Sequence, residues 1–132
     1  RILDRRYVER LLTRYREASR YISGDHVVMA TGCNGLHVLE TELAWEHVAH
    51  RRRRGRDGAD AVLLEELEWV ASSRRFDRVV IGSGDHAFAQ AARNLIRAGI
   101  TVQVVACPQS LSHELRRAVG TNLRLIARPV IA

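Results

Sequence analysis

Long apolar runs are missing from this sequence. None approaches the roughly 18–20 residues that a membrane-spanning helix needs, so none is read. No apolar segment follows the opening Arg1-Ile2-Leu3-Asp4-Arg5-Arg6 either, so no signal peptide is read and a cytoplasmic setting is expected. Cysteine is scarce. Cys33 and Cys107 lie far apart and fit no C-x-x-C pattern, which leaves them as buried thiols packed like small apolar groups. The six histidines, at 26, 37, 47, 50, 86 and 113, show no H-E-x-x-H spacing, and His47 with His50 has no third ligand. No zinc site is read. Internal repeats and low-complexity linkers are also absent, so residues 1–132 are read as a single domain, large enough for a core. Lysine is missing altogether: all 21 basic residues are arginine, set against 15 acidic ones. The formal +6 charge and the pI of about 10.5 are therefore carried by guanidinium, whose planar fork matches phosphate geometry. A high-GC genome produces the same bias, so the excess by itself makes a polyanionic partner plausible and no more.

What is present alternates between helical and strand patterns. Tyr7, Val8, Leu11, Leu12, Tyr15 and Ala18 predict an amphipathic helix over about 4–20, with Asp4 as N-cap. His26–Thr31 reads as a buried strand ended by Gly32-Cys33-Asn34-Gly35, followed by a helix over about 36–44. Trp45–His50 fits either a continuation of that helix or a short strand. His50–Gly58 reads as a basic loop with two glycines, and Ala59-Asp60 opens a strong helix. Arg78–Ile81 is a β-branched run that enters Gly82-Ser83-Gly84-Asp85 and then a helix with Ala87, Ala91, Leu95 and Ala98 on its apolar face. Ile100–Ala106 is a further strand, Ser110 a cap for a helix to about 118, and Leu123–Ile126 a last strand. Short apolar strands between helices predict an α/β fold with a mainly parallel sheet covered on both faces. Ligands then belong at the carboxyl ends of the strands.

Several constellations sit at that edge. Gly82-Ser83-Gly84-Asp85-His86-Ala87 fits G-x-G-x-x-G/A, but the next strand ends without an acid for a ribose. Asp85 also puts negative charge where a pyrophosphate would sit, so the dinucleotide reading is weak. Asp60 and Asp85 each open a helix after a loop. Converging there, carboxylates hold hard ions such as Mg²⁺ or Mn²⁺; as N-caps or first-turn acids, they need no metal. Arg51, Arg52, Arg53, Arg54 and Arg56 precede Asp60, either as a grip on the phosphates of a polyanion or as a solvated charge run. His86 adjoins Asp85 and fits substrate contact, proton transfer or an exposed helix start. Trp45 and Trp69 read as core or edge packing.

Ser83-Gly84-Asp85-His86-Ala87-Phe88, preceded by the strand Asp77–Ile81, resembles the S-G-D-x-D-F motif of NYN domains, which are PIN-like ribonucleases. Arg56-Asp57-Gly58-Ala59-Asp60-Ala61-Val62-Leu63 is similar to that family's G-x-D-x-x-L helix start. The resemblance covers roughly 25–127 and includes the Ala98-Gly99-Ile100 turn and the Ser112–Leu115 segment. It implies a three-layer α/β/α fold of the PIN-like or Rossmann-like kind, with Mg²⁺ or Mn²⁺ held by aspartates at the carboxyl edge. The implied activity is RNA phosphodiester hydrolysis by metal-activated water, with Asp60 and Asp85 as metal-binding catalytic residues and Ser83 orienting Asp85 or a bound water. Two features depart from the family. Ala87 stands where it has a second aspartate, and its first strand, ending in a D-x-x-N-type motif, has no match here. Either the sequence is a fragment lacking that strand or the protein lacks that ligand. Asn34 and Asp57 are candidate accessory oxygen donors. The expected protein is a metal-dependent ribonuclease acting on RNA, without a membrane and compatible with a homo-oligomer. The rival is a catalytically weak or inactive NYN-type module that binds RNA or protein.

Overall fold

The computed structural model describes residues 5–22, 24–32, 49–53 and 58–128. The Asp4 cap, the helix expected over 36–44, Cys33, Trp45 and the candidates Asn34, Arg54, Arg56 and Asp57 lie outside these residues, as do the side chains of Arg52 and Arg53.

Helix α1 spans Arg5–Ser19, close to the predicted 4–20. Strand β1 (Val28–Gly32) pairs in parallel with β2 (Ala49–Arg53). Helix α2 runs from Gly58 to Ser73 and leads into β3 (Arg78–Ile81), which has the predicted bounds. A 3₁₀ turn, His86–Phe88, then opens α3 (Ala89–Arg97). Strand β4 is Thr101–Ala106, α4 is His113–Val119 and β5 is Leu123–Leu125. The order β3-β4-β5 makes one three-stranded sheet, parallel throughout, and β1-β2 forms a second ladder. The α/β class with parallel strands is the one the sequence predicts.

Alternation along the strands explains the layers. Val79, Ile81, Val102, Val104 and Ala106 point to one face and pack with Phe88, Ala92 and Leu95 beneath α2, α3 and α4. Val80, Val105 and Cys107 point to the other face and pack with Ile126 against Leu11, Tyr15 and Ala18 of α1. The sheet is thus covered on both sides, as its nearly continuous apolar strands require. Cys107 is a buried free thiol, as expected.

Three local expectations change. Arg51–Arg53 do not belong to a loop: they lie in β2, paired in parallel with Ala30–Gly32. The apolar face of α3 is turned from the predicted one: Phe88, Ala89, Ala92 and Leu95 are buried, whereas Ala98 is exposed. The 3₁₀ turn at 86–88 shifts the phase before the α-helix starts. Ser112, not Ser110, caps α4, accepting from Leu115 N at 3.2 Å. Pro108 instead begins a 3₁₀ turn in which the Ser110 hydroxyl donates to Cys107 O at 3.2 Å.

Candidate functional site

The segment after β3 is held by its own backbone. Ser83 Oγ accepts from Asp85 N at 3.2 Å, and Gly84 O accepts from Ser112 N at 2.8 Å, tying this turn to the start of α4. Gly84 is buried, and a Cβ there would lie 2.7 Å from Ser110 C, 2.8 Å from Leu111 Cα and closer still to Ser110 O. Only glycine fits this crossing. The space that a phosphate cradle would leave open beside Gly84 is filled by the 110–111 backbone, which counts against the dinucleotide reading on geometry as well as on charge. Gly82 is next to the Tyr15 ring, whose Cε1 lies 3.3 Å from the position of an added Cβ.

Asp85 has extended backbone, φ −70° and ψ 138°, and caps the 3₁₀ turn. Its Oδ1 accepts from Ala87 N at 2.8 Å and lies 3.3 Å from His86 Nδ1. Among the described residues no partner engages Oδ2, and the side chain is 43% exposed. His86 is 75% exposed at the side chain, matching the exposed helix-start reading. Ser83 acts on Asp85 through its backbone N–H, not through the carboxylate.

Asp60 lies in the first turn of α2. Because α2 ends just before β3 begins, it runs back along the sheet, and its 16 residues span about 24 Å at the usual helical rise. This carries Asp60 to the carboxyl side of the strands, the side on which Asp85 follows β3. A cleft of about 500 Å³ separates α2 from α3 and includes Leu64, one turn beyond Asp60, and Ala87, two residues beyond Asp85. Ala87, at the position of the motif's second acid, therefore contributes a methyl to a cleft whose lining mixes Leu64, Leu67, Ala71 and Ala91 with Glu68, Ser72, Gln90 and Asn94. Carboxylate oxygens suit Mg²⁺ or Mn²⁺, but no three His, Cys, Asp or Glu side chains among the described residues form a metal-holding group.

Of the basic cluster, the Arg51 side chain lies among the described residues. Arg51 Nη2 is 3.2 Å from Glu66 Oε1 on α2, an ion pair that fastens the strand to the helix. Trp69 on the same helix is an edge packer, its ring centroid 5.8 Å from that of His26 and 5.9 Å from that of Phe76. The residue that sequence reading missed is Tyr15. Burial first, then Cys107 and Tyr7, push its phenol above the ordinary 10.0, while Arg128 pulls it down. Its amphipathic position marked it only as a core residue of α1.

No helix among the described residues is long and apolar enough to cross a membrane. A family model described as the NYN domain matches residues 8–124. No curated protein and no solved structure gives a match.

Proposed function

The chain belongs to the NYN domain family, and from that premise we propose that it is a metal-dependent ribonuclease whose working corner is the carboxyl edge around Asp85. NYN is a PIN-like domain, which itself points to a nuclease or an RNA-related module. The observation that carries the finer reading is the part-exposed Asp85 carboxylate, held through Oδ1 by a backbone cap just past β3, with Oδ2 engaged by no partner among the described residues. Asp60 is the second carboxylate assigned to this corner, from its place at the start of α2. Mg²⁺ or Mn²⁺ held there would supply Lewis-acid stabilisation of phosphodiester charge and a more acidic water. The protein's own part is to fix the Asp85 carboxylate. Ala87 N–H and Ser83 hold the turn, Gly84 locks it to α4, and His86 stands exposed beside the carboxylate as the group able to meet an RNA phosphate or exchange a proton.

A second reading, an RNA-binding module without cleavage, is favoured by two observations: the described residues supply no three-ligand group, and Ala87 stands where the motif has an acid. Gel electrophoresis of labelled single-stranded RNA separates the two. Shortened RNA that appears with Mn²⁺ and disappears with chelator is the expected result. A mobility shift with unchanged RNA length, indifferent to chelator, would establish the second reading instead.

A further inference from the structure

Helix α1 is not mentioned in any motif, yet the structure directs it toward the same edge as Asp85. Ser19 O, at the end of α1, accepts from Arg78 Nη2 at 3.1 Å, and Arg78 begins β3. One turn earlier, Tyr15 lies against Gly82, just past the end of β3. The helix therefore runs opposite to the strands. Arg14 Nη1 donates to Ala127 O, immediately after β5, and Leu11 packs on the cluster containing Cys107, just past β4. Tyr7, Arg6 and Arg10 continue beyond them, over the carboxyl side.

Arg6, Arg10 and Arg14 are four residues apart, so they form one stripe along the helix at intervals of about 6 Å. Arg6 and Arg10 are exposed and Arg14 is half-buried. Arg128 is exposed and close enough to act on the Tyr15 phenol, which places a fourth guanidinium beside the stripe. Arg124 shares the α1-facing side of the sheet, since its register partner Val105 packs there. Glu9 lies on the same part of α1, but arginine outnumbers it. The gap from the end of β3 to the end of β5 is two strand spacings, about 10 Å. A basic stripe thus approaches the corner from the strand side opposite to Arg51, whose Nη2 lies 3.2 Å from Glu66 Oε1.

We propose that Arg6, Arg10, Arg14 and Arg128 form the phosphate track that leads single-stranded RNA to the Asp85 corner. This rests on the reading that the chain acts on RNA, and it adds α1 and the segment after β5 to the backbone grip expected of the 51–56 cluster. Guanidinium forks supply the affinity, and the turn after β3 receives the strand.

Fluorescence anisotropy with a short labelled single-stranded RNA, in chelator so that cleavage has no part, tests the track. Two triple variants remove equal charge: R6Q/R10Q/R128Q at the track, and R74Q/R75Q/R97Q among exposed arginines at the opposite, amino-terminal edge. The track variant is expected to bind about ten-fold or more weakly and to lower the salt slope by about 2, at roughly 0.7 per lost phosphate contact. The control variant should stay within about two-fold of the wild type. Equal losses in both triples, or no loss in the track variant while the wild type binds, overturn the track and leave the RNA reading standing. A wild type that does not bind RNA overturns both.

Discussion

At the residue scale, Asp85 and Gly84 perform separable tasks. Asp85 caps a turn through Oδ1, so Asp85→Asn keeps an acceptor for Ala87 N while removing the charge. Gly84 has a purely steric task, since the Ser110–Leu111 backbone occupies the place of its missing side chain. Gly84→Ala should cost about 1–3 kcal/mol, because backbone on both sides of the contact has to shift. Urea unfolding checks this, and a midpoint equal to the wild type would show that the crossing is looser than described. The S-G-D motif was legible in the sequence, but this reason for its glycine was not. The sequence shows a small residue in a turn; that a segment 26 positions later lies against it is a long-range fact that no local pattern carries.

At the element scale, docking of α1 is the test case. Leu11, Tyr15 and Ala18 join the side of the sheet formed by Val80, Val105 and Cys107, and Tyr15 contributes a phenol kept neutral mainly by burial. A phenol whose folded pKa exceeds 10.0 adds stability that is fully present below pH 10.0 and is lost as pH rises through the higher folded value. Tyr15→Phe should therefore lose less stability than the wild type above pH 10. Melting temperatures of both proteins across the alkaline range check this, and parallel losses would contradict it. The strands and helices were largely readable because their patterns are strong: β3 keeps its predicted bounds, and α1 differs by a residue at each end. The failures have physical causes. Arginine-rich β2 looks like a loop by composition, yet parallel pairing with β1 decides its state. Ser110 and Ser112 are both good caps, and the turn begun by Pro108 determines that Ser112 is used.

At the scale of the whole molecule, the parallel sheet sends the turns after β3, β4 and β5 to one edge. Helix α1 covers one face, while α2, α3 and α4 cover the other. On the proposed reading, that arrangement lets an acidic corner and a basic stripe from distant parts of the sequence share an edge. The acids were legible because each opens a helix. The stripe was not, because its arginines looked like the solvated face of an ordinary amphipathic helix until the direction of α1 was known.

Cutting of RNA is proposed to depend on the Asp85 carboxylate. The most direct test is the single-turnover cleavage rate of single-stranded RNA with Mn²⁺, compared between the wild type and Asp85→Asn. A loss of about a hundred-fold or more is predicted, since removing an oxygen ligand removes charge at the reacting phosphate, with thermal stability kept near the wild type by the retained cap. Equal rates in the two proteins would contradict the claim.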